Sequence, residues 1–436
     1  MGLEADVRAA LRWLEDAPVP PDVEQSARRL VLDTLGCAIA GFAKPELRAM
    51  SLALAGVDPG HLRLPGMREG LNTSACAYLV AMAACWDEAC EGLARAHGRP
   101  GLHTIPGVVA LSLQHDATLG RLIRATIAGY EIAGRLGEAL RILPGMHVDG
   151  IWGGFGATVG AAHLLGCTES QTYAAIEGIA CQLPWSQYLP VSEGATVRNA
   201  YVAEAAGRGL RQALAAQAGV TSPSGAMSRF NELALGASAD RALAPAGEWL
   251  IGQGYLKPYA AVRHVHYGVE AALEWRRRFG PPQSIDSVVL TVYPEAMRYC
   301  GNRAPSTAIQ AQFSLSYGLA YAIVYGDLTP EAYTDEALRD ERVRAIEQCV
   351  QIHTEEISHG VRFAEVRIAS NERSEGVRVD AVLGDPGVPF TTDAVIDKFV
   401  RYTEGVIGSG AAARVAERIM TASADTSVSA CLEAAS

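Results

Sequence analysis

The chain has 436 residues, a net charge of −11, 49% apolar residues and 19% charged residues. That length buries a sizeable core and favours two domains over one, and the apolar share excludes a disordered chain. The negative balance argues against a protein that coats nucleic acid or an anionic membrane, and no apolar run reaches the roughly 18 residues of a membrane span.

The N-terminal stretch "MGLEADVRAALRWLED" is charged throughout and is no signal peptide. From about residue 22 to 250 the sequence reads as helices broken by glycine and proline. In "DVEQSARRLVLDTLGCAIAGF", Ala27, Leu30, Val31, Leu35, Ala38 and Ile39 fall at helical spacing, and Gly41 is placed to stop the helix. "TSACAYLVAMAACWDEA" is apolar nearly all round, which predicts a helix buried between others. The alanine- and glycine-rich segments that follow predict a tight bundle. Among them, "GIWGGFGATVG" (150–160) resembles a phosphate cradle only superficially. Its spacing is GxGxxxG, and neither a preceding strand nor a P-loop lysine accompanies it, so the glycines are read as helix-packing residues.

After Lys257 the texture changes. "QSIDSVVLTVYPEAM" alternates like a strand, and "VRFAEVRIASNERSEGVRVDAVLG" reads as a hairpin whose turn contains Gly376. "AIQAQFSLSYGLAYAIVYGDL" between them reads as a helix. The expected fold is therefore mainly α: an all-helical domain of residues 1–255 with 396–436, and a smaller α+β lid domain of residues 256–395. Nine cysteines, an odd number without a CxxC pair, suit reduced thiols in a cytoplasmic protein and offer no metal site.

Five segments carry candidate chemistry. "WDEACEGLARAHGRPGLHTIP" (86–106) packs Asp87, Glu88, Glu91, Arg95, His97, Arg99 and His103 together, and its Gly/Pro-rich half is expected to be a loop. A solvated loop of capping histidines is the competing reading. "GMHVDG" sets His147 between glycines ahead of a helix, where a carboxylate would find partial positive charge. Arg198 at the start of a helix and Tyr317 on an apolar one are, taken alone, structural residues as readily as functional ones. "KPYAAVRHVH" (257–266) is conspicuous because the chain has only three lysines, Lys44, Lys257 and Lys398, against thirty-four arginines.

Taken together and in order, "LVLDTLGCAIAG", "WDEACEGLARAHGRPGLHTIP", "GYEIAGRLG", "GMHVDGIWGGFGATVGAAHLLG", "KPYAAVRHVH" and "AQFSLSYGLAYA" resemble the MmgE/PrpD family over residues from about 25 to 400. The resemblance implies a helical domain with an α+β lid, a homodimer, no cofactor or metal, and a small carboxylic acid bound in the cleft between domains. It implies catalytic roles for Asp87, His97, His147, Lys257 and Tyr317. Arg99, His103, Arg198, Arg263 and His266 are read beside them as substrate-binding residues, with Arg263 and His266 as readily bracing the loop. A differently placed gap puts Arg99 where the family has the histidine matched by His97. Val148 stands where the family's turn has proline. Arg198 replaces a lysine of the decarboxylase. Arginine clamps a carboxylate but is no base, which points away from decarboxylation of cis-aconitate itself. The resulting expectation is a dehydratase-like lyase that removes a proton alpha to a carboxylate. Epimerase, isomerase or decarboxylase chemistry and a non-catalytic acid-binding or assembly subunit are the alternatives.

Overall fold

The computed structural model describes residues 2–236, 243–281, 284–358, 361–370 and 373–433. The larger part is a stack of helices. Helix α1 (Pro21–Gly41) begins with proline at its first position, where the missing N–H costs nothing. Helix α2 (Thr73–Cys85), capped by the Asn72 side chain, is buried on almost every face, as its lack of polar residues requires. Helices α3 (Pro100–Gln114), α4 (Leu119–Ala139), α5 (Gly153–Leu164) and α6 (Ala200–Gln217) complete the core, with α5 packed against α3, α4 and α6.

The close approach of α4 and α5 rests on paired glycines. A Cβ on Gly129 would lie 2.5 Å from the Gly156 carbonyl oxygen, and one on Gly156 would lie 2.9 Å from that of Gly129. The glycines of 150–160 are thus packing residues of a helix interface, as their spacing predicts.

The smaller part is a four-stranded sheet with helices α7 (Arg263–Phe279) and α8 (Leu315–Tyr325) on it. Its strands are β1 (Ser287–Val292), β2 (Val350–Thr354), β3 (Ala364–Ser370) and β4 (Arg373–Val379), in the order β2-β1-β3-β4. β1 pairs parallel to β2 and antiparallel to β3, with Val288 opposite Val350 on one side and Ile368 on the other. Val288, Leu290 and Val292 alternate into the core, the period-2 pattern legible in the sequence. Helix α9 (Thr392–Ile407) returns to pack on α1. The fold is mainly α, a large helical unit with a small α+β unit.

Three local expectations are corrected. Gly376 lies within β4 opposite Arg367, because β3 and β4 already pair from Ser370 and Arg373 onward; residues 371–372 between them lie outside the described residues. The helix expected through 308–325 breaks at Phe313, where the Ser314 hydroxyl caps α8 by accepting from the Tyr317 N–H. "PGLHTIP" is not a loop but the first two turns of α3: Pro100 occupies its first position, and Pro106 inside it forgoes one bond to Leu102.

Candidate active site

Between α2 and α3 the chain crosses as irregular backbone from Trp86 to Arg99. Most of this crossing is buried, so its polar groups require partners from elsewhere. Glu91 meets the start of α3, with Oε1 accepting from the N–H groups of Gly101 at 2.9 Å and Leu102 at 3.1 Å. Burial pushes its carboxyl up to about 8, against those bonds and Arg99.

Glu88 is the hub. Its backbone is left-handed at φ 52°, a region uncommon outside glycine, and its carboxylate is buried among three cations. Arg99 Nη1 donates to Oε2 at 3.0 Å, Arg198 Nη2 donates to the same oxygen, and Lys257 Nζ donates to Oε1 at 2.7 Å. Burial alone would raise the Glu88 carboxyl, but Arg198, Arg99 and Lys257 outweigh it and hold it well below the usual range. A second carboxylate, Asp149, takes the other arm of Arg99 and lies 3.5 Å from Arg198. Burial opposes its ionisation too, and Arg99, His147 and Arg198 prevail.

Two histidines are fixed by backbone N–H groups, which can only donate. The Asp149 N–H donates to His147 Nδ1 at 3.0 Å, so the neutral ring carries its proton on Nε2. Burial, with Arg198 and Arg99 nearby, brings His147 down to about 4 against the pull of Asp149, so the ring is neutral at pH 7. The Gly150 N–H donates to His103 Nε2 at 3.0 Å, and His103 Nδ1 donates to the Arg99 carbonyl at 2.7 Å. Both His103 nitrogens are thus spent on joining the two loops. A third ring, His264, sits against Tyr299 with its Nδ1 2.5 Å from the Tyr293 hydroxyl, and burial holds it well below its ordinary value.

A cavity of about 490 Å3 opens over this hub. Its wall includes seven cationic side chains, Arg99, Arg141, Arg198, Lys257, Arg263, Arg298 and Arg362, against the three carboxylates Glu88, Asp149 and Glu295. Ion pairs hold several of these cations, yet the local excess is positive in a chain of net charge −11. Among the described residues, the buried Nε donors of Arg198 and Arg263 meet no acceptor. Apolar side chains, Leu93, Leu140, Ile142, Met146 and Trp152 among them, complete the lining. The lining comes both from the helical part and from the segments around α7 and the sheet.

Of the residues singled out in the sequence, His97, Arg99, His147, Arg198, Lys257 and Arg263 line this cavity. His97 does so from the rim, half-exposed, with its Nδ1 3.7 Å from Glu295. Arg263 reaches Asp385. The structure does not bring the other four to the wall. Asp87 pairs with Lys44 at 2.8 Å, His103 lies behind Arg99, Tyr317 donates to the Ala332 carbonyl, and His266 Nε2 is 2.9 Å from the Ala261 carbonyl. Glu88, though named in its segment, was assigned no role, nor were Asp149, His264 and Arg362. The first three lie inside quoted motifs, one or two residues from a chosen neighbour; Arg362 has no motif around it.

Among the described residues, no three His, Cys, Asp or Glu side chains gather as metal ligands, and no helix is long and apolar enough to cross a membrane. The cavity is lined by residues of both the helical and the α+β part, with an excess of cationic side chains on its wall. The chain belongs to the MmgE/PrpD family: residues 13–236 match the MmgE/PrpD N-terminal domain and residues 259–424 the C-terminal domain. It is 24% identical to a cis-aconitate decarboxylase-like protein, oryM, of Aspergillus oryzae, over 98% of this chain and 96% of the relative. It is 30% identical to the alkylcitrate dehydratase phiI of a fungal species over 58% of this chain and 55% of that one. It is 23% identical to the 2-methylcitrate dehydratase of Salmonella typhi over 74% and 72%.

Proposed function

We propose that this protein is a cofactor-independent lyase of the dehydratase kind, which removes the proton alpha to a carboxylate of a small di- or tricarboxylic acid. The observation that carries the reading is the cavity wall, with seven cationic side chains against three carboxylates in an acidic chain. Such a wall binds an acid and stabilises the charge that grows as an enolate-like transition state forms. Relatives named as dehydratases of citrate-like acids support the substrate class. Arginine rather than lysine at Arg198 favours water loss over decarboxylation, because a guanidinium holds a carboxylate but does not trade a proton.

Proton transfer falls to the imidazoles. His147 keeps its proton on Nε2 while Asp149 N–H occupies Nδ1, so it serves as a hydrogen-bond donor to substrate oxygen. His264 can donate a hydrogen bond from its Nδ1–H to the Tyr293 hydroxyl oxygen, so the neutral ring keeps its lone pair on Nε2 to accept the alpha proton. Lys257, tied to Glu88, adds positive charge beside the reacting carboxylate. Both Glu88 oxygens are engaged by Arg99, Arg198 and Lys257, so its lone pairs are not free for the alpha proton.

Proton NMR of the protein with citrate, 2-methylcitrate and related acids in deuterium oxide tests the reading. Loss of an alpha-proton signal at a protein-dependent rate is expected for at least one acid, with an alkene product where water departs. Exchange without an alkene would make the protein an epimerase or isomerase. Binding without exchange would make it a non-catalytic acid-binding protein.

A further inference from the structure

The three lysines of the chain converge on one turn. Lys44 Nζ lies 2.8 Å from Asp87 Oδ1. Lys257 Nζ donates to the Glu88 carbonyl at 2.8 Å as well as to its carboxylate. Lys398 Nζ donates to the Ala89 carbonyl at 2.7 Å and pairs with Asp33 of α1. They reach Asp87, Glu88 and Ala89 from three separate places: the cap before helix Pro45–Val57, the segment ahead of α7, and α9.

The turn needs this help. It belongs to neither helix, it is buried, and Glu88 stands in the left-handed region. The carbonyls of Glu88 and Ala89 would otherwise be buried acceptors without regular partners. An ammonium group suits the task, since three N–H bonds on one compact atom can serve a carbonyl and a carboxylate together; a planar guanidinium spreads its donors over a wider fork.

We infer that Lys44 and Lys398 are positioning residues which, with Lys257, clamp the Asp87–Ala89 turn in the left-handed form that aims Glu88 at Arg99 and Arg198. Neither Lys44 nor Lys398 lines the cavity, so each acts on a ligand only through the turn.

Hydrogen–deuterium exchange over residues 86–92 tests the clamp without reference to any reaction. Lys44→Met alone would strand the Asp87 carboxylate, which is buried, so the first arm uses Lys44→Met with Asp87→Asn. Lys398→Met alone would strand the buried Asp33 carboxylate, so that arm uses Lys398→Met with Asp33→Asn. Exchange in 86–92 should rise about tenfold in both, with the flanking helices unchanged. Asp87→Asn alone, which leaves the partly exposed Lys44 free to reach solvent, should reproduce the effect of the first arm. Lys44→Arg, at the more open position, should restore protection. Unchanged exchange in both arms, or a rise spread over the whole chain, overturns the inference. Citrate affinity by calorimetry gives a second readout, and this one rests on the proposed function. It should weaken about tenfold alongside the exchange. Wild-type protein that binds no acid would count against the proposed function, and the exchange data alone would then decide the clamp.

Discussion

Arg99 and His97 lie two residues apart, and the structure gives them different work. Arg99 is buried and spans Glu88 and Asp149 with separate arms of its guanidinium, whereas His97 stands half-exposed at the rim beside Glu295. A lysine in place of Arg99 keeps the charge and loses the fork, so it no longer bridges the two carboxylates and one of them loses a close partner. Arg99→Lys is therefore expected to lower kcat on the order of 100-fold, the cost of a site displaced by about an ångström. His97→Asn changes a half-exposed residue whose Nδ1 lies 3.7 Å from Glu295, and should change kcat by no more than about fivefold. Steady-state kinetics on the acid identified by NMR checks both; the reverse ranking would return the catalytic role to His97. Spacing after α2 could not separate the two residues, since it left open which of them takes the family position. Likewise, Asp87 and Glu88 are adjacent carboxylates, and which one faces the site depends on the left-handed backbone at Glu88. A non-glycine residue in that conformation is held there by partners distant in sequence, and no local pattern announces it.

Elements were more legible than residues because hydrophobic periodicity is a local signal. The ends of α1, the buried character of α2 and the alternation of β1 follow directly from their side chains. The errors fell where one cue outweighed another. "PGLHTIP" looked like a loop for its Gly and Pro content, although Pro100 begins α3, the position where proline is favoured. The glycine-rich start of α5 supplies a test at this scale. A methyl group on Gly129 would stand 2.4 Å from Thr104 Cγ2 and 2.5 Å from the Gly156 carbonyl, and backbone does not yield cheaply. Gly129→Ala should destabilise the protein by about 1–3 kcal/mol as an overpacked core does, even though alanine is the better helix former. Thermal unfolding at a fixed pH measures it. A rise in Tm would mean that propensity wins and that the α4–α5 contact is looser than its geometry.

At the scale of the molecule, the buried charges give stability two opposed limbs in pH. Glu88 and Asp149 are held below their ordinary values, and His147 is lowered to about 4. In each case the unfolded chain takes up the proton first, so stability is lost as pH falls through the acid range. Glu91 works in the opposite direction. Its folded value of about 8 lies above the ordinary carboxylate value, so the native state binds the extra proton. Its contribution is complete below the unfolded value and disappears as pH rises through the folded one, a window from about 4.5 to 8. Burial raises Asp33, Asp87 and Glu131 in the same direction, so Glu91 supplies only part of this alkaline limb. Glutamine suits the site as a neutral replacement, because its carbonyl oxygen can still accept from the Gly101 and Leu102 N–H groups that Glu91 now serves. Glu91→Gln should therefore match the wild type in Tm near pH 5 and exceed it increasingly towards pH 9, with a flatter profile between. Thermal scans of both proteins across that range decide the matter. Parallel curves would show that Glu91 is ionised throughout in the folded protein, with its charge carried by Arg99 and the start of α3 after all.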